Sequence, residues 1–206
     1  MSTSRIAAGL IALIALVGLV IRVHLVQVTG KTTLESFSFL YQFFTIWTNT
    51  LVMLIMTGIA INQFNNKLAT LMATVAIIGV GIIFHSLLGS PPGQQGLDLL
   101  ANLITHTFVP ILCPLWWLVF QSNLRFHWKN SFVGMIFPII YCVYALLRAE
   151  VTGFYPYPFI DLETLGVAGL IKSIAFISFA FFSIGVALVA INKLAAGLPR
   201  PSAPNT

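Results

Sequence analysis

The chain has 206 residues, 58% hydrophobic and 7% charged, with a mean hydropathy of +0.97 and a net charge of +5. A soluble domain carries about 25% charged residues, so this chain cannot cover itself with a water-facing surface. Its ten Lys and Arg residues are scattered singly, which excludes the basic stripe of a nucleic-acid binder.

The apolar residues come in blocks near or above the roughly 18–20 that cross a bilayer. Six transmembrane helices are expected, at about 5–28, 39–61, 68–90, 99–121, 130–148 and 165–192. The first run starts behind Arg5 and continues to Val28. That is longer than the apolar core of a signal peptide, and no small-residue cleavage site follows, so it reads as helix one. Asn62 to Lys67 separates helices two and three, and Gly89-Ser90-Pro91-Pro92-Gly93 separates three and four. The fifth loop, Ala149 to Thr164, is the longest and contains Tyr155-Pro156-Tyr157-Pro158-Phe159. Pro158 disfavours helix at Tyr157, so this run is expected to fold back over the bundle as a lid, or else to anchor in the interface. Asp161 is expected to cap helix six or to pair with a cation. The fold class is thus all-α: a polytopic membrane protein with one six-helix domain (1–198) and a disordered polar tail (199–206).

Charge orients the bundle. Arg5, Lys67, Arg125, Lys129, Lys193 and Arg200 lie on the side of the termini, with no acid among them. All five acids, Glu35, Asp98, Glu150, Asp161 and Glu163, lie on the other, against Lys31 and Arg148. The positive-inside rule places both termini in the cytoplasm and the protein in the cell membrane. Cys113 and Cys142 lie inside apolar blocks, where cysteine behaves as a small hydrophobe. No disulfide, metal site or cofactor is expected from them.

Polar residues inside a membrane are functional candidates by default, and here they converge on one depth. Arg22 is near the outward end of helix one. Thr45 lies about two turns below the expected start of helix two, with Asn49 one turn further. His85 is near the outward end of helix three. Asn102 and His106 occupy the outward half of helix four, and Lys172 that of helix six. At 1.5 Å per residue all fall roughly 5–15 Å below the outer surface, which points to a polar pocket opening outward. Thr45 and Asn49 share one helix face, as do Asn102 and His106. Joined, these faces supply a hydroxyl, an imidazole and amide donors, the kit for acyl transfer. The plain alternative is that Thr45 bonds back to its own helix, that the Asn residues join helices and that Arg22 and Lys172 snorkel.

Three segments, Phe43-Phe44-Thr45-Ile46-Trp47-Thr48-Asn49, His106-Thr107-Phe108-Val109-Pro110 and Tyr157-Pro158-Phe159-Ile160-Asp161, resemble, in order, the androgen-induced-protein family of integral membrane hydrolases (the FAR-17a group). The animal members are multipass threonine hydrolases that cleave fatty-acid esters of hydroxy fatty acids. The resemblance implies that the family nucleophile maps onto Thr45 and the family histidine onto His106, with a lipid or fatty-acyl ester as substrate and no cofactor. Asn49, Asn102, Lys172, His85 and Arg22 are then the candidates for oxyanion or substrate contacts. Asp98, two turns from His106, is given no role. Two other functions remain open: a transporter or lipid-binding protein without chemistry, and a b-type haem protein ligated by His85 and His106.

Overall fold

A computed structural model describes residues 2–121 and 124–197; the tail expected to be disordered lies outside the described residues. The helices are α1 (Thr3–Gln27), α2 (Thr33–Leu40), α3 (Phe44–Ala60), α4 (Lys67–Ile83), α5 (Gly96–Leu103), α6 (Val109–Phe120), α7 (Val133–Thr152) and α8 (Leu162–Gly197). Among the described residues, five helical stretches are long and apolar enough to cross a membrane: Thr3–Gln27, Lys67–Leu88, Gly96–Phe120, Trp128–Thr152 and Leu162–Ala195. α2 and α3 are long and apolar enough only when taken together, and these meet at a bend of 103°. The chain is an all-α protein with the helices of a membrane protein.

The bend corrects the expectation of one unbroken second helix from about residue 39. Regular helix begins only at Phe44, although neither Pro nor Gly stands at the break. Aromatic side chains take up the backbone groups released there. Trp47 Nε1 donates to Tyr41 O at 2.7 Å, and Tyr141 Oη to Gln42 O at 2.5 Å. Tyr157 Oη accepts the Phe44 N–H at 3.0 Å. An unpaired backbone group in hydrocarbon costs several kcal/mol, so an interrupted helix persists there only when protein groups satisfy it. A capping box closes α2: Thr32 Oγ1 accepts the Glu35 N–H while Glu35 Oε2 accepts the Thr32 N–H.

At the centre stands α4, packed on α3, α6, α7 and α8, with Leu71, Val75, Ala76 and Ile77 fully buried. Small residues allow the close approach: a Cβ on Gly79 would stand 2.2 Å from the Phe181 ring of α8. Two wide turns interrupt the regular register. One, Phe84–Leu88, ends α4; the other, Ile104–Phe108, joins α5 to α6, and both are π-helical. The second has a covalent cause. Pro110 has no N–H to give the His106 carbonyl and its ring crowds that oxygen. The Val109 N–H reaches back five residues, to Ile104 O, and the turn absorbs one extra residue. Such bulges concentrate at functional sites.

The last helix breaks near its start, where Gly166 adopts φ 63° and ψ 171°. Asp161 caps the turn ahead of this break, its two oxygens accepting the Thr164 N–H at 3.1 Å and hydroxyl at 2.8 Å. Those bonds, the hydroxyl's foremost, hold the Asp161 carboxyl below the usual carboxylate range. The aromatic run of the fifth loop folds back over the end of the bundle. Tyr157 is buried, edge-on to Phe43 and Tyr141 and stacked on Phe159 at 5.0 Å.

Candidate active site

Thr45 is the second residue of α3, not a residue two turns inside a longer helix. The bend between α2 and α3 moves the start of regular helix to it. Its Oγ1 lies 3.2 Å from His106 Nε2, across 61 residues of sequence. The neighbouring Thr48 bonds back to Phe44 O at 2.9 Å, as an ordinary membrane threonine does, while the Thr45 hydroxyl faces an imidazole. The His106 ring is held flat against Phe84, with centroids 3.8 Å apart and planes 15° apart. The two π turns set this stack, since Phe84 opens one and His106 is the middle residue of the other.

Behind the ring lies a polar network. Asn102 Oδ1 is 2.7 Å from His106 Nδ1, and Asn102 O is 3.3 Å from it. Asn102 Nδ2 donates to Ser90 Oγ at 3.1 Å and to Gln94 Oε1 at 2.8 Å. Arg22 forms a salt bridge with Asp98 at 2.9 Å and donates to Asn102 Oδ1 at 3.3 Å. On the other side of Thr45 stands Tyr157. Its phenol accepts the N–H of Phe44, the residue before Thr45, at 3.0 Å. Burial pushes that phenol above its ordinary range, so it keeps its proton.

Thr45 lines two cavities. One, of about 170 Å³, is walled by apolar residues of α4, α7 and α8, among them Ile83, Leu146, Ile174, Ile177 and Phe181. The other, of about 460 Å³, holds Arg22, Lys31, Gln94, Asn102 and His106. Thr45, Phe84, Leu88 and Tyr157 belong to both walls. The hydroxyl therefore stands where an apolar chamber meets a larger one, itself mostly apolar, whose polar groups include Arg22, Lys31, Gln94, Asn102 and His106.

Of the other candidates, Arg22 and Asn102 line the larger cavity, whereas three residues sit differently. His85 is exposed and faces Thr107 Oγ1 at 3.1 Å, because consecutive helical residues point about 100° apart and Phe84 takes the inward direction. Lys172 is exposed. The face of α8 lining the apolar cavity carries Ile174, Ile177, Ser178 and Phe181, which turns Lys172 to the far side. Asn49 is buried one turn below Thr45, but its Nδ2 donates to Thr45 O at 2.9 Å and Thr105 O at 3.1 Å. Its donors tie α3 to the π turn and are not available to an oxyanion. Asn102 likewise spends its donors on Ser90 and Gln94 and turns its oxygen to the imidazole. Sequence reasoning missed Tyr157 as a site residue and left Gln94 and Asp98 without a role. A signal for the latter two was present: Gln94, Asp98, Asn102 and His106 follow one another at intervals of four, the spacing of one helical face.

Comparison with protein-family models, with curated proteins and with solved structures finds no match for this chain.

Proposed function

We propose that this chain is an integral membrane lipid-ester hydrolase with Thr45 as nucleophile and His106 as general base. The observation that carries the reading is the 3.2 Å approach of Thr45 Oγ1 to His106 Nε2 where an apolar cavity meets a larger one that holds the polar side chains of Arg22, Gln94 and Asn102. The resemblance of the segments around Thr45, His106 and Tyr157 to the androgen-induced-protein family supports it. It also points to fatty-acid esters of hydroxy fatty acids as the substrate type.

The ester places its acyl chain in the apolar cavity between α4, α7 and α8 and its alcohol side in the larger one beside Arg22 and Asn102. Thr45 Oγ attacks the carbonyl carbon as its proton passes to His106 Nε2. Tyr157 donates its phenol proton in a hydrogen bond to the carbonyl oxygen as that oxygen becomes an anion. Collapse breaks the bond to the alcohol oxygen, which takes the proton from Nε2 and leaves. Water then attacks the acyl-threonine ester. His106 takes the proton of the water and returns it to Thr45 Oγ, and the fatty acid departs. The haem alternative does not fit this geometry: Phe84 is stacked on His106 and His85 faces away. Binding without chemistry is the reading to adopt if Thr45 proves inert.

The decisive experiment is covalent. A fluorophosphonate probe should label the detergent-solubilised protein, with the adduct found on Thr45 by peptide mass spectrometry. An unlabelled protein, or an adduct elsewhere, would end this assignment. The cavities make a second expectation. Ser178 lines the apolar chamber, so Ser178→Phe should exclude part of a long acyl chain. Losing the burial of two or three methylenes at about 0.8 kcal/mol each lowers the preference for a long-chain over a butyryl ester roughly 15- to 60-fold. An unchanged ratio of kcat/KM for the two esters would place the acyl chain elsewhere.

In the membrane we assign six crossings, with α2 and α3 as one broken span and both termini in the cytoplasm. The loop charges support this orientation. Reporter fusions after Lys67 and at the C-terminus should both signal inside; an outside signal from either reverses it.

A further inference from the structure

The network behind His106 determines where that ring carries its proton. The derivation starts from Asp98. An ionised carboxylate only accepts hydrogen bonds and a guanidinium only donates them. Gln94 therefore presents Nε2 to Asp98 Oδ2 at 2.9 Å, and its Oε1 to Asn102 Nδ2 at 2.8 Å. Arg22 makes the same demand from α1, with one nitrogen on Asp98 Oδ1 at 2.9 Å and the other on Asn102 Oδ1 at 3.3 Å. Both constraints turn the Asn102 amide so that its oxygen, not its nitrogen, meets His106 Nδ1 at 2.7 Å. Asn102 O faces the same nitrogen at 3.3 Å. Thr105 Oγ1 also lies 3.2 Å from that nitrogen, but its hydroxyl proton goes to Ala101 O at 2.8 Å, so the nitrogen meets acceptors and must be the donor.

We propose that Asp98, acting through Gln94, Arg22 and Asn102, fixes His106 as the tautomer protonated at Nδ1 and bare at Nε2. Asn102 is the positioning residue: a neutral amide stands where many hydrolytic triads place a carboxylate. The inference deepens the hydrolase reading and rests on it for its consequence, since only a bare Nε2 takes the Thr45 proton. The Nδ1 proton stays in place through the cycle. The proton that moves goes from Thr45 Oγ to Nε2 and on to the leaving oxygen.

The test is nitrogen NMR of the histidine rings in the detergent-solubilised full chain labelled with ¹⁵N-histidine. The chain has four histidines, and His106 is assigned by its absence from the His106→Asn spectrum. A neutral ring protonated at Nδ1 is expected. A ring protonated at Nε2, or at both nitrogens at neutral pH, overturns the proposal. In Asn102→Leu the ring should become a mixture of tautomers, and fluorophosphonate labelling of Thr45 should slow on the order of 10²-fold or more. A wild-type tautomer and labelling rate in that variant would also overturn it. Asp98 is 41% exposed, so Asp98→Asn offers a variant at a site that tolerates change. It should admit some ring protonated at Nε2, and an unaltered spectrum removes Asp98 from the relay. The two claims fail separately. Labelled Thr45 beside the wrong tautomer sinks this inference alone, and the expected tautomer beside an inert Thr45 sinks the hydrolase reading.

Discussion

Thr45→Ala and His106→Ala are each expected to lower kcat for a long-chain ester by at least about 10³-fold, and the double variant should be no worse than either single one. The reason is the division of labour proposed for the two groups across 3.2 Å. A threonine hydroxyl without a base is a weak nucleophile, and an imidazole without the hydroxyl has nothing to activate. Removing either disables the same step, so the losses do not add. Thr45→Ser keeps the hydroxyl and should retain measurable turnover. Thr48→Ala, one turn away and bonded to its own helix, should leave kcat within a few-fold of the parent. Turnover by purified protein, normalised to folded protein from size-exclusion profiles, measures all four. Additive losses in the double variant would show two residues acting independently. Persisting turnover in Thr45→Ala would mean another nucleophile.

Tyr157→Phe is expected to cost about 10²- to 10³-fold in kcat, the range for losing one oxyanion donor, with KM little changed. The phenol has two tasks. It accepts the Phe44 N–H at the start of α3, and in the proposed mechanism it donates to the oxyanion beside Thr45. Deleting the oxygen also leaves a buried N–H unpaired, a loss of about 1–3 kcal/mol in stability. A thermal melt in detergent separates the two. A lower Tm with normal kcat per folded molecule would confine Tyr157 to structure. A fall in both is the outcome expected of a residue that builds the site and serves in it.

These two experiments probe parts of the site that were unequally visible in the sequence. Thr45 and His106 were legible because a hydroxyl and an imidazole in apolar helices stand out, and because loop charges allow their depths to be compared along separate helices. Asn102 was legible through its four-residue spacing from His106. Its role was not, since an amide can turn either its oxygen or its nitrogen to a ring, and here Arg22, Gln94 and Asp98 decide which. Tyr157 was visible only as part of an apolar loop and of a segment that carries the family resemblance, with no role assigned to it. Its phenol reaches the Phe44 N–H across 113 residues of sequence, a separation that no local pattern encodes.

The sequence by itself determined the all-α class, the apolar helices, the breaks at polar and Pro/Gly segments, and the clustering of polar groups toward one end. Each follows from local properties: hydropathy over a window, helical period, turn chemistry. The bend at Tyr41–Phe43, the π turn at His106 and the outward placement of His85 and Lys172 were decided by tertiary structure. At the bend, side-chain hydroxyl and indole groups from α3, α7 and the fifth loop replace helix hydrogen bonds, so a stretch with full helical propensity departs from helix. Propensity acts between neighbours in sequence. In a bilayer the satisfaction of every backbone group overrides it, and the groups that satisfy this bend come from elsewhere in the chain.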